Sequence, residues 1–229
     1  MPSQQDAATT LARGWSGQLV GAAAITFAAL VVLENVLFAV TGAQSYGAPI
    51  ADVLAYYAAN RAAVAIVCGL VALYLPMLLV FVTGLHGLVE RRGGAGADWS
   101  RLAVAAGATV AAIVVLVNVL QMALALSADG LGEPTSAFEL VWQIHAAAFA
   151  LELPMIGATF IGVALASHAS GLTPVWQRRL GLVGGSLLLA AGLGNLAIAD
   201  GSPLIFLGLL GFTAWLVWLT ATGIRLVRS

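Results

Sequence analysis

Hydrophobic residues form long runs along this chain, and the polar residues collect in the short segments between them. A helix that crosses a bilayer needs about 20 mainly apolar residues. Six runs meet this length and predict six transmembrane helices, at 17–41, 62–89, 102–127, 139–167, 179–199 and 203–226. The pattern predicts an all-α integral membrane protein, with a polar cytoplasmic N-terminal segment, 1–14, and one transmembrane domain, 15–229.

The arginines give these helices a direction. If both termini are cytoplasmic, eight of the nine arginines fall on the cytoplasmic side and only Arg61 falls on the other. Cytoplasmic loops are enriched in positive residues, so we expect both termini in the cytoplasm. The outer loop 42–60 is predicted to contain a short interfacial helix. Its three tyrosines, Tyr46, Tyr56 and Tyr57, suit the headgroup level, so anchoring is favoured over a second reading, in which the loop covers a cavity.

The composition supports lipid as the solvent and excludes several classes of function. The chain is 61% hydrophobic and 8% charged, whereas soluble domains carry about 25% charged residues. All nine basic residues are arginine, so Schiff-base chemistry with retinal or pyridoxal is excluded. The single cysteine, Cys68, forms no internal disulfide and no cysteine metal site. No basic patch is present, and we expect no nucleic-acid partner.

The sequence contains an internal repeat. The segment LYLPM at 73–77 recurs as LELPM at 151–155, and ADG occurs at both 128–130 and 199–201. A two-copy repeat explains these matches. A three-copy version, in which the chain consists of three helical hairpins, stays open. Copies with the same topology would be related by an axis along the membrane normal.

Polar side chains inside the predicted spans fall at one depth. At about 1.5 Å of rise per residue, they lie between the bilayer midplane and the outer third. The set comprises Glu34, Asn35, Asn118, Gln121, His145, Glu152 and Asn195. Asparagines at such positions commonly bond between helices and fix packing, which is the alternative to ligand binding. Intramembrane carboxylates usually face protein or water and have a function.

The fourth predicted span carries the strongest candidate site. Trp142, His145, Phe149 and Glu152 follow one another at spacings of three, four and three, which places them on one helical face. We predict that this face lines a cavity that is open, or can open, to the outer side, with Glu34 across from it. The two acids then act as ligand groups or catalytic acids, or they form a structural pair with His145 or an asparagine.

Metal binding and haem binding are the weaker alternatives for the histidines. One histidine with two glutamates offers ligands for a hard or borderline cation, but no close ligand spacing such as ExxH is present. His86 and His168 both lie toward the predicted cytoplasmic side, where a haem between two histidines is conceivable. We expect neither a metal nor a cofactor.

The segment SYGAPIADVLAYYAANRAAVAIVCGLVALYLPMLLVFVTGLHGL, together with the six-span layout, resembles a group of polytopic membrane proteins from high-GC Gram-positive (actinobacterial) bacteria. This resemblance implies a multi-pass protein of the bacterial cytoplasmic membrane and brings no activity. In size and in its intramembrane acids the chain is also similar to small membrane-embedded terpene cyclases, with LEN at 33–35 as the acidic helix. It departs from them in having six spans rather than seven and no tryptophan before Glu34.

Three functions follow from these observations. The first is a protein that binds or moves a small lipophilic molecule or lipid in an outward-facing cavity formed by Asn35, Asn118, Gln121, Trp142, Phe149 and Asn195 with the acids. The second is a membrane-embedded enzyme in which Glu34 or Glu152 is the general acid and His145 orients or reprotonates it. The third is a non-catalytic partner subunit. A homo-oligomer or a membrane partner chain is left open.

Overall fold

The structure, a computed structural model, describes residues 15–229, and within that range the chain forms eight helices and no strand. The all-α prediction is confirmed for these residues. The helices are α1 (Gly17–Thr41), α2 (Ile50–Ala59), α3 (Arg61–Arg91), α4 (Ala97–Ser127), α5 (Ser136–Ala169), α6 (Val175–Leu193), α7 (Asn195–Ala199) and α8 (Ile205–Val227). The predicted polar segment 1–14, which includes Arg13, lies outside the described residues.

Five of the helices, α1, α3, α4, α5 and α8, are long and apolar enough to cross a membrane. This is the pattern of a multi-pass membrane protein. Local chemistry sets their ends: the Ser16 hydroxyl accepts a hydrogen bond from the Leu19 amide at the start of α1, and Gly42 ends it with a positive φ of 70°. The Thr135 hydroxyl caps α5 in the same way, as expected of side chains that satisfy the free amides of a first turn.

The predicted span at 179–199 is divided in two. The helix α6 contains only 19 residues, and it stops at Gly194, after which the five-residue α7 begins. Gly192 and Gly194 weaken the helix here because glycine loses the most backbone freedom on folding. A Cβ on Gly194 would lie 2.7 Å from a methyl carbon of Leu204, and one on Gly192 would meet the Pro154 ring. A sixth full span therefore stays a prediction.

The long helices and α6 form a closed ring. In chain order, α1 packs on α3, α3 on α4, α4 on α5, α5 on α6 and α6 on α8, and α8 closes the ring by packing on α1. Short connections join α3 to α4, α4 to α5 and α5 to α6, and make these neighbours antiparallel. The order is compatible with three consecutive hairpins, α1–α3, α4–α5 and α6–α8, so the repeat stays a prediction that the packing allows.

We call the end of the ring that carries Thr41 and α2 the outer end, and the opposite end the inner end. Toward the inner end, aromatic rings fill the middle of the ring. Phe81, Phe160, Trp215 and Trp218 are fully buried, and the two indoles stack with centroids 5.9 Å apart. Phe160 lies 5.0 Å from Trp215. The middle of the ring toward the inner end is therefore filled by aromatic packing.

Candidate functional site

A cavity of about 500 Å³ occupies the outer half of the ring. Helices α1, α3, α4, α5 and α8 and the outer loop all contribute to its wall. Most of the lining is aliphatic or aromatic, and a few polar side chains converge in it. This is the usual composition of a small-molecule site in a protein. The cavity ends above the aromatic cluster of the inner half.

Eight of the nine predicted site residues line this cavity. They come from three helices that are far apart in sequence: Glu34 and Asn35 from α1, Asn118 and Gln121 from α4, and Trp142, His145, Phe149 and Glu152 from α5. The depth estimate from helical rise found this group because each helix rises by the same distance per residue. Their roles as ligand or catalytic groups stay predictions.

Asn195 lies elsewhere. It is the first residue of α7, just after the helix break, and it is not part of the cavity wall. Its side-chain Oδ1 accepts a hydrogen bond from the Leu196 amide at 2.7 Å. The predicted ligand-binding role assumed an unbroken fifth span. The break at Gly194 instead leaves this side chain bonded to the amide of the next residue, outside the cavity.

Two buried polar side chains in the cavity wall lack partners. His145 is 6% exposed, and within residues 15–229 neither ring nitrogen has a hydrogen-bond partner. Asn118 is 8% exposed; its amide nitrogen donates to the Val114 carbonyl at 2.9 Å, but its Oδ1 has no partner among the described residues. Buried polar groups in proteins are nearly always paired. These atoms therefore mark a place where a ligand or water completes the bonding.

The two carboxyl groups of the cavity differ in their contacts. Tyr74 on α3 donates its hydroxyl to Glu34 Oε1 at 3.4 Å, a long hydrogen bond, and Glu34 is buried. Glu152 is partly accessible from the cavity and makes no side-chain hydrogen bond within the part of the chain described. Glu152 is thus the freer of the two acids to contact a ligand.

A search for metal-ligating side chains covers the cavity and the rest of the described chain. Within residues 15–229 there is no group of three or more histidine, cysteine or acidic side chains that could hold a metal ion. The expectation that the chain holds neither a metal nor a cofactor stays a prediction. His86 and His168 lie at the inner end, where their Nδ1 atoms contact the Ser100 hydroxyl at 2.8 Å and the Thr173 carbonyl at 3.1 Å.

Sequence reasoning missed the central role of Tyr46. Its ring enters the cavity and packs against Trp142, His145 and Phe149, with centroids 5.1, 5.7 and 5.3 Å away. Burial raises the pKa of the Tyr46 hydroxyl well above its ordinary value, and the nearby Tyr57 and Glu152 raise it further. Tyr46 therefore forms part of the site.

The outer loop covers the mouth of the cavity. On α2, Tyr56 and Tyr57 are buried, and the Tyr56 hydroxyl lies 3.1 Å from the Thr41 hydroxyl. Gly47 lies against Gly201, where an added Cβ would come within 2.5 Å of the Gly47 Cα. The prediction that these tyrosines anchor the loop at the headgroups is wrong, because their rings pack inward. The apolar face of a ten-residue helix was the signal for burial.

Helices α1 and α8 bury few residues in the outer halves of their lengths. In residues 32–41 of α1 only Glu34 is buried, and in residues 205–214 of α8 only Gly208 and Gly211 are buried. Both glycines face α5 or α6 rather than α1. Most of the buried residues of the two helices lie in their inner halves. The first and last helices of the ring thus pack closely only toward the inner end.

We call the boundary between residues 32–41 of α1 and residues 205–214 of α8 the outer seam. Some of the residues that line the cavity are exposed along it. Phe206 is 64% exposed and Leu209 is 52% exposed, and both contribute to the cavity wall. Asn35 lies across from them on α1 and is also exposed. The cavity therefore reaches the side of the bundle between α1 and α8.

No family profile, curated protein or solved structure matches this chain. Both resemblances inferred from the sequence stay predictions.

Proposed function

We propose that this chain is a six-span protein of the bacterial cytoplasmic membrane, with both termini in the cytoplasm, that binds a small lipophilic molecule in its outer cavity. The observation that carries the proposal is His145: a buried imidazole with no partner within residues 15–229, in the wall of a largely apolar cavity. Leaving such a group unpaired costs about 1–3 kcal/mol. A bound molecule with a polar end recovers that cost.

The membrane supplies the route to the cavity. The seam between the outer halves of α1 and α8 opens toward lipid, and the outer loop covers the top. A lipophilic molecule concentrated in the bilayer enters through this seam. The packed aromatic rings of the inner half favour binding over passage across the membrane, because they lie in the middle of the ring between the cavity and the inner end.

A membrane-embedded enzyme is the second candidate. Glu152 lines the cavity on the same helical face as Trp142 and Phe149, and Tyr46 packs on both rings. Aromatic faces stabilise a positive charge that develops beside them. An acid in this setting protonates a bound unsaturated lipid, and the rings stabilise the resulting cation during cyclisation or isomerisation.

Ligand retention tests the proposal. We would purify wild type, Glu34→Gln, Glu152→Gln and His145→Phe in mild detergent, identify co-purifying small molecules by mass spectrometry and record thermal unfolding. The control is Glu139→Gln, an exposed acid on the same helix as His145. A specific lipophilic molecule present in wild type and control but lost from the cavity variants, with unfolding unchanged, is the expected result.

Two other outcomes point to other functions. If the retained molecule is chemically altered by wild type and intact in Glu152→Gln, the chain is an enzyme. If wild type retains no small molecule and every cavity variant only unfolds at a lower temperature, then Glu34, Glu152 and His145 have a structural role. The chain is then a non-catalytic partner subunit, and the proposed binding function is wrong.

A further inference from the structure

The described cavity wall has acidic groups and acceptors but no positively charged side chain. Glu34 and Glu152 line it, and among residues 15–229 no arginine does. Lysine is absent from the whole sequence. Arg61, the arginine nearest the outer end of α3, forms an exposed ion pair with Asp129 instead. An anionic headgroup would enter a low-dielectric space that offers it no positively charged partner, which is unfavourable.

Two of the three buried cavity atoms that lack partners require a donor. Asn118 Oδ1 accepts hydrogen bonds only, and the neutral His145 ring has one accepting nitrogen besides one N–H that requires an acceptor. Asn118 Oδ1 and both His145 nitrogens are buried without a partner in residues 15–229. Glu152 adds carboxyl oxygens that no described side chain contacts. A headgroup with O–H or N–H bonds satisfies these acceptors, whereas an ester, ether or pure hydrocarbon does not.

The rest of the wall suits an alkyl or isoprenoid chain. On the side of the polar groups that faces the inner end, aliphatic and aromatic side chains border the cavity, among them Phe27, Leu78, Val110 and Ile156. Together with the seam toward lipid, this arrangement fits a molecule that has one polar end and one long apolar part. The polar end of such a molecule would lie near His145 and Asn118. Its apolar part would extend toward the inner end of the cavity or through the outer seam.

We infer that the ligand is a lipophilic alcohol or amine, whose headgroup donates hydrogen bonds to Asn118, His145 and Glu152, and that anionic lipids are rejected. The inference rests on the proposed binding function and adds the chemical class of the ligand to it. It is a statement about headgroup selectivity, so it can fail while the binding function stands.

Four probes that share one alkyl chain and differ in their headgroups test this inference. The full-length protein in neutral-lipid nanodiscs at neutral pH is incubated with dodecanol, dodecylamine, dodecanoate or dodecyl phosphate. Native mass spectrometry measures the fraction of protein that has bound each probe. We expect the alcohol or the amine to be retained at least about tenfold more strongly than both anions, because the described cavity wall offers an anion no positively charged partner. Asn118→Leu and His145→Phe should each reduce that retention, whereas Glu139→Gln should not.

The outcomes separate the two claims. Equal or stronger retention of dodecanoate or dodecyl phosphate overturns the headgroup assignment and leaves the binding function intact. Retention of the alcohol or amine that is unchanged in both cavity variants also overturns the assignment. If none of the four probes is retained, and native lipids are absent as well, the binding function itself fails. His145→Phe keeps an aromatic ring beside Trp142, so its effect is not confused with loss of packing.

Discussion

Gly21 on α1 and Gly223 on α8 pack backbone against backbone. A Cβ on Gly21 would lie 2.6 Å from the Gly223 carbonyl oxygen, and a Cβ on Gly223 would lie 2.7 Å from the Gly21 carbonyl oxygen. Small residues allow membrane helices to approach this closely and gain dispersion energy. The contact closes the ring between its first and last helices in their inner halves. The outer seam lies between the outer halves of the same two helices.

Replacing either glycine should destabilise the bundle. We expect Gly223→Ala to lower the free energy of unfolding by about 1–3 kcal/mol, because the added Cβ overlaps the facing backbone. Thermal unfolding in mild detergent measures the effect. Gly69→Ala is the matched control, since no atom lies within 4 Å of its added Cβ. Equal unfolding temperatures for the two variants would show that α1 and α8 do not meet as described.

Removal of the Tyr46 ring should loosen the cover of the cavity. Each aromatic contact of this ring contributes about 0.5–1.5 kcal/mol, so Tyr46→Ala should speed ligand exchange by about tenfold. The measurement is the rate at which bound dodecanol exchanges with deuterated dodecanol, followed by native mass spectrometry. Tyr46→Phe keeps the three ring contacts and should exchange as slowly as wild type. Slow exchange in both variants would mean that the ring does not limit access.

Buried tyrosines should make the protein sensitive to alkaline pH. The pKa of Tyr46 and that of Tyr57 are both raised in the folded chain, mainly by burial. The unfolded chain therefore releases these protons first, and stability should fall as the pH rises above about 10. Unfolding temperatures at about pH 8 and about pH 11 measure the loss. The double variant Tyr46→Phe, Tyr57→Phe should lose less, and an identical loss would contradict the burial of both hydroxyls.

The seam between α1 and α8 should control access from the bilayer. Leu209 lines the cavity and is exposed, so Leu209→Trp should narrow the seam and slow the uptake of dodecanol several-fold. Leu210→Trp is the control, because Leu210 is exposed but lies outside the cavity wall. Uptake from nanodiscs loaded with the alcohol is followed over time. The route would be elsewhere if the two tryptophan variants took up the alcohol equally fast.

One buried hydrogen bond joins α6 to α8 near the inner end. Gln177 Nε2 donates to the Thr222 hydroxyl at 2.9 Å, and both side chains are fully buried. Gln177→Ala should lower the free energy of unfolding by about 0.5–2 kcal/mol. Gln143→Ala removes an exposed glutamine of α5 and should have almost no effect. Thermal unfolding of the two variants compares the losses directly.

The sequence by itself determined the helices and most of the candidate site. Hydropathy and the fixed rise of a helix are local quantities. The predicted bounds of α1 therefore agree with the observed ones, and those of the other membrane-spanning helices differ by a few residues. The same rise placed Glu34, Asn118, His145 and Glu152 at one depth, and the ring then brought them into one cavity.

Only the tertiary structure decided what depends on contacts between segments distant in sequence. The Tyr46 ring packs inward on Trp142, because the outer loop lies over α5. The tertiary structure broke the fifth predicted span at Gly194, where Leu204 fills the space of a side chain, and so removed Asn195 from the cavity. It also opened the seam between α1 and α8. A hydropathy pattern records how apolar a residue is, but not which helix it faces.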